Sequence, residues 1–408
     1  MNQSLLSQQA MAGVHYMGAS APPMAQPYSD DTHHDESLVR ERMDAVQTVQ
    51  GGLVELGVPA GLAGVVAEDD QRIGRRIYLL DNSGSTATGD GSVLVEGRNG
   101  SATQVPGTRW EEICAFTEDH ARWNLTVGTP CEFVLLNSWS RAQGSGIQEG
   151  RDCLHIDRSL GDVAAQLQQL STLLRNNGPR GVTPLVARLD EIHQRVYAEA
   201  PGLAQRGQLV FLTIVTDGLP TSPYSGSSTD ADKQSFIFTL RNLCANLPLQ
   251  LVIRLCTDEK ATVEFYNRVD EELELPLDIL DDIVGEAQEV ASHGNDWFAY
   301  TPTLHRIREA GTLCKMLDAI DERKLTKLEV RQLAEALCRA SGGASLAGLT
   351  DRQFVREIKR LVVQAPLVYD ARRREMAHVV SINRLRAALK VGCRGALYSI
   401  LRCCPFNV

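Results

Sequence analysis

The sequence predicts an α/β protein with a Rossmann-like, doubly wound and mostly parallel sheet, extended by helical regions at both ends. Three observations predict it. Residues 77–80, 133–136, 209–215 and 249–256 are short runs, apolar almost throughout, as in strands buried on both faces. Segments with apolar residues at three- and four-residue steps separate these runs, as crossover helices require. The loops after positions 80 and 215 carry Asp, Ser, Thr and Gly, the chemistry expected where the carboxyl edge of such a sheet meets a ligand.

Taken in order, residues 1–36 mix Gln, Ser, Ala and Pro with the pair His33-His34 and have little apolar periodicity, which predicts a disordered tail. Leu38, Met43, Val46 and Val49 then fall at helical spacing, and with 62–67 they make the segment 37–74 a small helical collar. The main domain spans 75–259. Ile77-Tyr78-Leu79-Leu80 is a strand running into Asp81. Residues 110–127 read as a helix, 133–136 and 153–156 as strands, and 163–174 and 185–199 as helices. The strand 209–215 is interrupted only by Thr213, and 236–246 is a helix before the strand 249–256. Between the first strand and its helix, 86–107 is rich in Gly, Ser and Thr. It contains Val93-Leu94-Val95 and a turn-like Arg98-Asn99-Gly100-Ser101, the pattern of a hairpin or flap.

No further strand run is expected beyond Lys260. Residues 260–370 read as acidic, then helical. Within them Asp318 and Glu329 stand at the first and twelfth positions of an EF-hand-like loop, with Leu325 at the eighth. Ile320 offers no ligand oxygen and Arg323 replaces the turn glycine, so a helix–loop–helix without tight calcium binding is predicted. Residues 371–408 form a basic, helical tail.

The formal charge of −10 excludes a general nucleic-acid binder, which needs a basic face to neutralise phosphates. The charge is unevenly placed: acids crowd 258–296, while Arg372, Arg373, Arg374, Arg384, Arg386, Lys390, Arg394 and Arg402 crowd the end. The two blocks are expected to face each other or solvent. The segment 381–404 also has the basic amphipathic pattern of a peripheral membrane contact, and Cys403-Cys404 invites acylation but is misplaced for prenylation. Ten cysteines show neither a disulfide framework nor a Cys-x-x-Cys pair. With no apolar run of membrane-spanning or signal-peptide length, a reducing cytoplasmic compartment is expected.

The chemistry concentrates in Asp81-Asn82-Ser83-Gly84-Ser85. Asp81, Ser83 and Ser85 leave the end of a buried strand at alternate positions, and Gly84 lets the chain turn so that three oxygens point to one locus. Two other segments belong to the same edge of the sheet: Gly181-Val182-Thr183-Pro184-Leu185, which opens a helix, and Thr216-Asp217-Gly218, which follows the most apolar strand. Carboxylates and hydroxyls are hard oxygen donors suited to Mg²⁺, Ca²⁺ or Mn²⁺ rather than zinc or copper. Two aspartates balance a divalent charge, and Mg²⁺ retains open or water-filled positions.

Asp-x-Ser-x-Ser, then a Gly-x-Thr-Pro loop, then strand–Thr-Asp-Gly resembles, in content and order, the metal-ion-dependent adhesion site of von Willebrand factor A domains. The resemblance covers about residues 75–258. It implies that Asp81, Ser83 and Ser85 approach the ion directly, and that Thr183 and Asp217 do so directly or through water. The open position would take an Asp or Glu carboxylate of a protein partner, giving a non-enzymatic, metal-dependent interaction module. The 86–107 insertion departs from the family, where the helix begins soon after the serines. Two alternatives stand beside this expectation: a Mg²⁺-dependent phosphotransferase or hydrolase on the same kind of sheet, and a metal-free scaffold with a membrane-peripheral tail. The phosphotransferase would need a second acid where Ser83 stands, and a hydroxyl is a poor proton donor or acceptor in that role.

Overall fold

Apolar side chains on both faces make the expected runs strands of a single six-stranded sheet. A computed structural model describes residues 32–97, 101–138, 146–273, 275–340 and 342–391. The chain divides into two compact units, 1–43 and 44–408. The described part of the first is the opening of helix α1, Thr32–Glu55, so helix replaces the tail expected for 32–36. The rest of the predicted N-terminal tail lies outside the described residues.

In the second unit, α2 (Ala60–Asp70) precedes the central strand β1 (Ile73–Leu80). A 3-10 turn, Gly84–Ala87, leads into the hairpin β2 (Gly91–Glu96) and β3 (Ala102–Gly107), which form an antiparallel pair. The expected flap is therefore a two-stranded ribbon, although 98–100 lie outside the described residues. Helix α3 (Arg109–Val127) starts at a Thr108 capping box with Glu111, an arrangement that satisfies two otherwise orphaned backbone donors. It leads to β4 (Cys131–Leu135) and β5 (Cys153–Ile156). Helices α4 (Val163–Asn176) and α5 (Leu185–Gln205) return the chain to β6 (Leu209–Thr216). Crossovers through α6 (Asp230–Asn246) and α7 (Lys260–Leu273) add β7 (Leu249–Leu255) and β8 (Leu277–Leu280).

The strand order is β5-β4-β1-β6-β7-β8. All pairs are parallel except β4–β5. The chain moves outward from β1 through β4 and β5, then returns to β1's other side to build β6, β7 and β8. The topological switch point thus lies between β1 and β6, the position beyond the carboxyl ends of the strands where open α/β sheets generally bind ligands.

Two expectations need correction. A strand does occur beyond Lys260: β8 lies in the acidic stretch and forms the sheet's edge, past the expected boundary at 259. Its Asp278 hides it from an apolar-run search, because that carboxylate faces the buried Arg308 (3.3 Å). The beginning of the predicted basic helical tail is also partly strand, with β9 (Val368–Asp370) and β10 (Glu375–Ala377) pairing antiparallel before the short α13 (Ile382–Ala388). Of the expected contact between acidic and basic blocks, the described residues contain Arg384–Asp296 at 2.7 Å. Arg394, Arg402 and Cys403-Cys404 lie outside the described residues.

Helices α3 and α4 cover one face of the sheet over β1, β4 and β5. On the opposite face lie α5, α6 and α7. The remaining quarter, on the α3 side over β6 to β8, is closed by residues 308–311 at the end of α9 (Pro302–Glu309). Ala310 O accepts a hydrogen bond from Arg76 Nε of β1 (2.8 Å) and Glu309 O accepts one from Thr213 of β6 (3.1 Å). The Glu309 side chain pairs with Arg254 of β7 (3.2 Å), and Arg308 pairs with Asp278 of β8. Around this segment α8 (Ile283–Ser292), α11 (Lys327–Cys338), α12 (Asp351–Gln364), α13 and α2 build a second apolar core. The collar helix α2 packs on α11 so closely that a Cβ on Gly61 would lie 2.6 Å from Ala336 O.

The EF-hand-like stretch has a one-turn entering helix, α10 (Lys315–Asp318). Glu329, at the twelfth loop position, caps α11 through Thr326 and pairs with Arg323 at 2.7 Å. Among the described residues no helix is long and apolar enough to cross a membrane.

Gly311 is the tightest point of the closure. It has φ +81°, and a Cβ there would sit 2.1 Å from the buried Phe211 ring. Gly311→Ala therefore combines left-handed strain with overpacking, and is expected to cost about 2–4 kcal/mol of stability. Urea unfolding would measure this as a lower midpoint at unchanged slope.

Candidate metal centre

Strand β1 continues into the site: the Asp81 N–H donates to Val215 O of β6 (2.9 Å), which holds the end of β1 against the strand that delivers Asp217. Asp81 is buried. Its Oδ1 accepts from the Ser83 N–H (2.8 Å), and its Oδ2 accepts from the Thr216 hydroxyl (2.6 Å). The Ser83 and Ser85 hydroxyls share a hydrogen bond of 2.9 Å. Asp217 Oδ1 accepts from Ser85 Oγ at 2.9 Å and lies 3.5 Å from Ser83 Oγ. Ser85 is exposed, so the locus opens to solvent on its side.

The third loop is tied in by its backbone. Gly84 N–H donates to Gly181 O (3.1 Å), Thr183 N–H to Thr221 Oγ1 (3.0 Å) and Thr221 N–H to Thr183 O (3.0 Å). A Cβ placed on Gly218 would meet Thr183 Oγ1 at 3.3 Å and Ser85 Oγ at 4.0 Å. The Thr183 and Ser85 hydroxyls therefore both border Gly218, the residue after Asp217. The loops carrying all five candidates, Asp81, Ser83, Ser85, Thr183 and Asp217, meet at the carboxyl edge between β1 and β6.

Asn82, also buried, locks the loops together. Its amide donates to Asn137 O (2.9 Å) and Asn177 O (3.0 Å), and its carbonyl accepts from Asn137 N–H (2.7 Å). Its backbone O accepts from Arg180 N–H (2.7 Å). Asn137 in turn donates to Val182 O (2.8 Å) in the threonine loop. Three of the four hydrogen-bonding capacities of the Asn82 side chain are used within the protein, so it positions the loops.

Arg109, the first residue of α3, is the functional neighbour that sequence reasoning missed. Its Nη1 donates to Asp217 Oδ2 (3.0 Å), while Nε and Nη2 grip Asp90 at the base of the hairpin (both 2.7 Å). A cation at a helix N-terminus opposes the helix dipole, so an arginine there signals nearby carboxylates, a signal the sequence did carry. The guanidinium neutralises one of the two buried aspartates and joins the hairpin to the site. Among the described residues Asp81 has no ion pair with a basic side chain. Burial, and then the Asp217 carboxylate, push its pKa up to about 6, against the hydrogen bonds from Thr216 and Ser83. A cation in the crevice would reverse that balance, because it favours the charged form. The donor set, carboxylate and hydroxyl oxygens with one wall open, fits a hard divalent ion.

No protein-family model matches the chain, and no curated protein matches it in sequence. What the fold defines is a Rossmann-like α/β protein whose oxygen-rich crevice lies at the switch point of its sheet.

Two outcomes follow from the electrostatics. A raised carboxylate pKa means that Asp81's contribution is fully favourable below about 4 and is lost as pH rises through about 6. In EDTA, wild type should therefore lose on the order of 3 kcal/mol relative to Asp81→Asn between pH 4 and pH 7; parallel pH–stability curves for the two proteins would contradict this. Arg109→Gln removes the positive charge beside the crevice, so Mg²⁺ should bind about tenfold tighter. Titration calorimetry reads this directly, and weaker binding would mean that Arg109 supports the ion rather than competing with it.

Proposed function

We propose that the chain is a metal-dependent protein-interaction module of the von Willebrand factor A type. It binds a partner's Asp or Glu carboxylate through Mg²⁺, Mn²⁺ or Ca²⁺ held by Asp81, Ser83, Ser85, Thr183 and Asp217. The single observation that carries this reading is the meeting of these five oxygen-bearing side chains, from three separate loops, at the switch point between β1 and β6. Ser85 is exposed, which supports a free coordination side that would face solvent, where a partner carboxylate would gain the attraction of the ion in addition to hydrogen bonds. The ion would supply the positive charge that Asp81 lacks. Asp217, half-neutralised by Arg109, would reach the ion through its Oδ1 side, or through water.

Binding rather than turnover is favoured by Ser83. Its hydroxyl is engaged with Ser85 and faces Asp217, and it has no proton-transfer capacity near neutral pH. The seven described cysteines are free thiols, which supports a reducing, intracellular setting.

The reading is tested by thermal unfolding of the full chain with EDTA or with each ion. An ion at about 100 times its Kd should add about 2.7 kcal/mol to wild type and nothing to Asp81→Ala. Partner capture should then require the ion and fail with Asp81→Ala. An unchanged midpoint in wild type at saturating Mg²⁺, Mn²⁺ and Ca²⁺ would remove the basis for the proposal.

A further inference from the structure

The outer edge of the sheet carries a second, chemically different group of donors. Residues two apart on a strand share a face, so Cys153 and His155 of β5 point together. The antiparallel register sets Glu132 of β4 directly opposite His155. The three side chains thus meet on the face covered by α5, with Sγ, a ring nitrogen and a carboxylate oxygen all within 4.8 Å of one another.

Their hydrogen bonding is incomplete in an informative way. Cys153 Sγ donates to Glu132 Oε1 (2.9 Å), and Arg195 of α5 pairs with the same oxygen. The other oxygen, Oε2, is buried and has no hydrogen-bond partner. It lies 3.7 Å from Arg75 Nη1 and 3.5 Å from His155 Nε2. At the other ring nitrogen, Nδ1 is 2.6 Å from Glu149 Oε2, which also lies 3.4 Å from Cys153 Sγ, and Glu149 Oε1 accepts from the His155 N–H (2.9 Å). In the tautomer that hydrogen-bonds through Nδ1–H to Glu149, the Nε2 lone pair turns toward Glu132 Oε2. Two acceptors then face each other across a gap that a cation would fill.

We propose that Glu132, Cys153 and His155 hold a divalent ion of the zinc class, with Glu149 orienting the imidazole from behind. Mixed sulfur, nitrogen and oxygen donors select zinc rather than magnesium, and a carboxylate on the remote ring nitrogen is the usual support of a metal-bound histidine. Tetrahedral zinc, with bonds of about 2.0–2.3 Å, needs ligand atoms roughly 3.3–3.7 Å apart. The observed spacing therefore closes on the ion with movements on the order of an ångström. On binding, the thiol proton leaves to solvent and an S–Zn bond forms. The charges then cancel. Glu132, Glu149 and Glu199 against Arg75 and Arg195 leave one negative charge, and the ion with its thiolate contributes one positive charge. His155 and Glu149 have 39% and 52% of their side-chain surface exposed, so the fourth position is open to water on that side. Nothing here depends on the oxygen-lined centre at Asp81.

The test uses the metal-free full chain titrated with Co²⁺ and then with competing Zn²⁺. One equivalent of Co²⁺ should give a thiolate-to-metal charge-transfer band with the strong visible bands of four-coordinate cobalt. Zn²⁺ should abolish these bands and excess Mg²⁺ should not. Cys153→Ser should lose the charge-transfer band, and His155→Ala should bind at least about tenfold more weakly. Glu149→Gln should bind about 10–100-fold more weakly. Because Cys153 is buried, the two variants at partly exposed positions keep the test valid if the serine variant misfolds, with circular dichroism as the check. Absence of the charge-transfer band in wild type overturns the proposal and leaves His155 as a hydrogen-bonding partner between Glu149 and Glu132. A band that survives His155→Ala at unchanged affinity overturns it equally.

Discussion

Four consecutive residues, 308–311, hold the two halves of this protein together. They lie across β1, β6, β7 and β8 and give each strand a partner: a carbonyl for Arg76, a carbonyl for Thr213, a carboxylate for Arg254 and a guanidinium for Asp278. Arg76, Arg254 and Arg308 are all buried, and a buried guanidinium without its partners is strongly destabilising. Asp70 of α2 completes the set on Arg76 at 2.6 Å. The sheet therefore depends on a segment outside the stretch that its apolar runs delimit. The helical region also closes the sheet's core, in addition to packing its own.

From that segment two ion pairs and one turn of α3 lead to the candidate metal centre. Glu309 meets Arg254, whose Nη2 donates to Glu112 of α3 (2.5 Å). The other oxygen of Glu112 accepts from the Ser92 N–H of the hairpin (2.9 Å). One turn earlier on α3, Arg109 reaches Asp217 and Asp90. Helix α3 is thus pinned at its buried side by charges, and its first residue enters the crevice at a fixed position. Were the proposed ion to bind there, such a fixed charge would need no reorganisation, and it would set how much of the aspartate pair the ion could claim.

Much of this was legible in the sequence, for physical reasons that differ by element. Strands β1, β4, β6 and β7 announce themselves because both of their faces are buried, and the hairpin because turn residues flank its valines. Strand β8 did not, since four residues containing Asp278 look like surface until the buried Arg308, thirty positions away, is known. Helix α5 runs past its expected end because Pro201 is accommodated inside it. The three loops of the oxygen-lined crevice could be paired by their order along the chain. Arg109 required knowing that a helix starts there with its side chain inward. The group Glu132, Cys153 and His155 required strand register, which no local pattern encodes: one residue of slip would send Glu132 to the opposite face.

The closing segment has a consequence for biosynthesis. Chains emerge at about 5–20 residues per second, and the stretch from the end of β7 at Leu255 to Ala310 takes roughly 3–11 s at that rate. For that interval the strands can pair, yet the part of the α3-side face of β6 and β7 that residues 308–311 close, around Phe211, Thr213 and Val252, lacks this cover. Arg76 must wait for a carbonyl 234 positions downstream. Sheet assembly is therefore separated in time from sheet closure. The nascent protein passes through a stage with an open apolar face, when it is most exposed to aggregation and most accessible to chaperones.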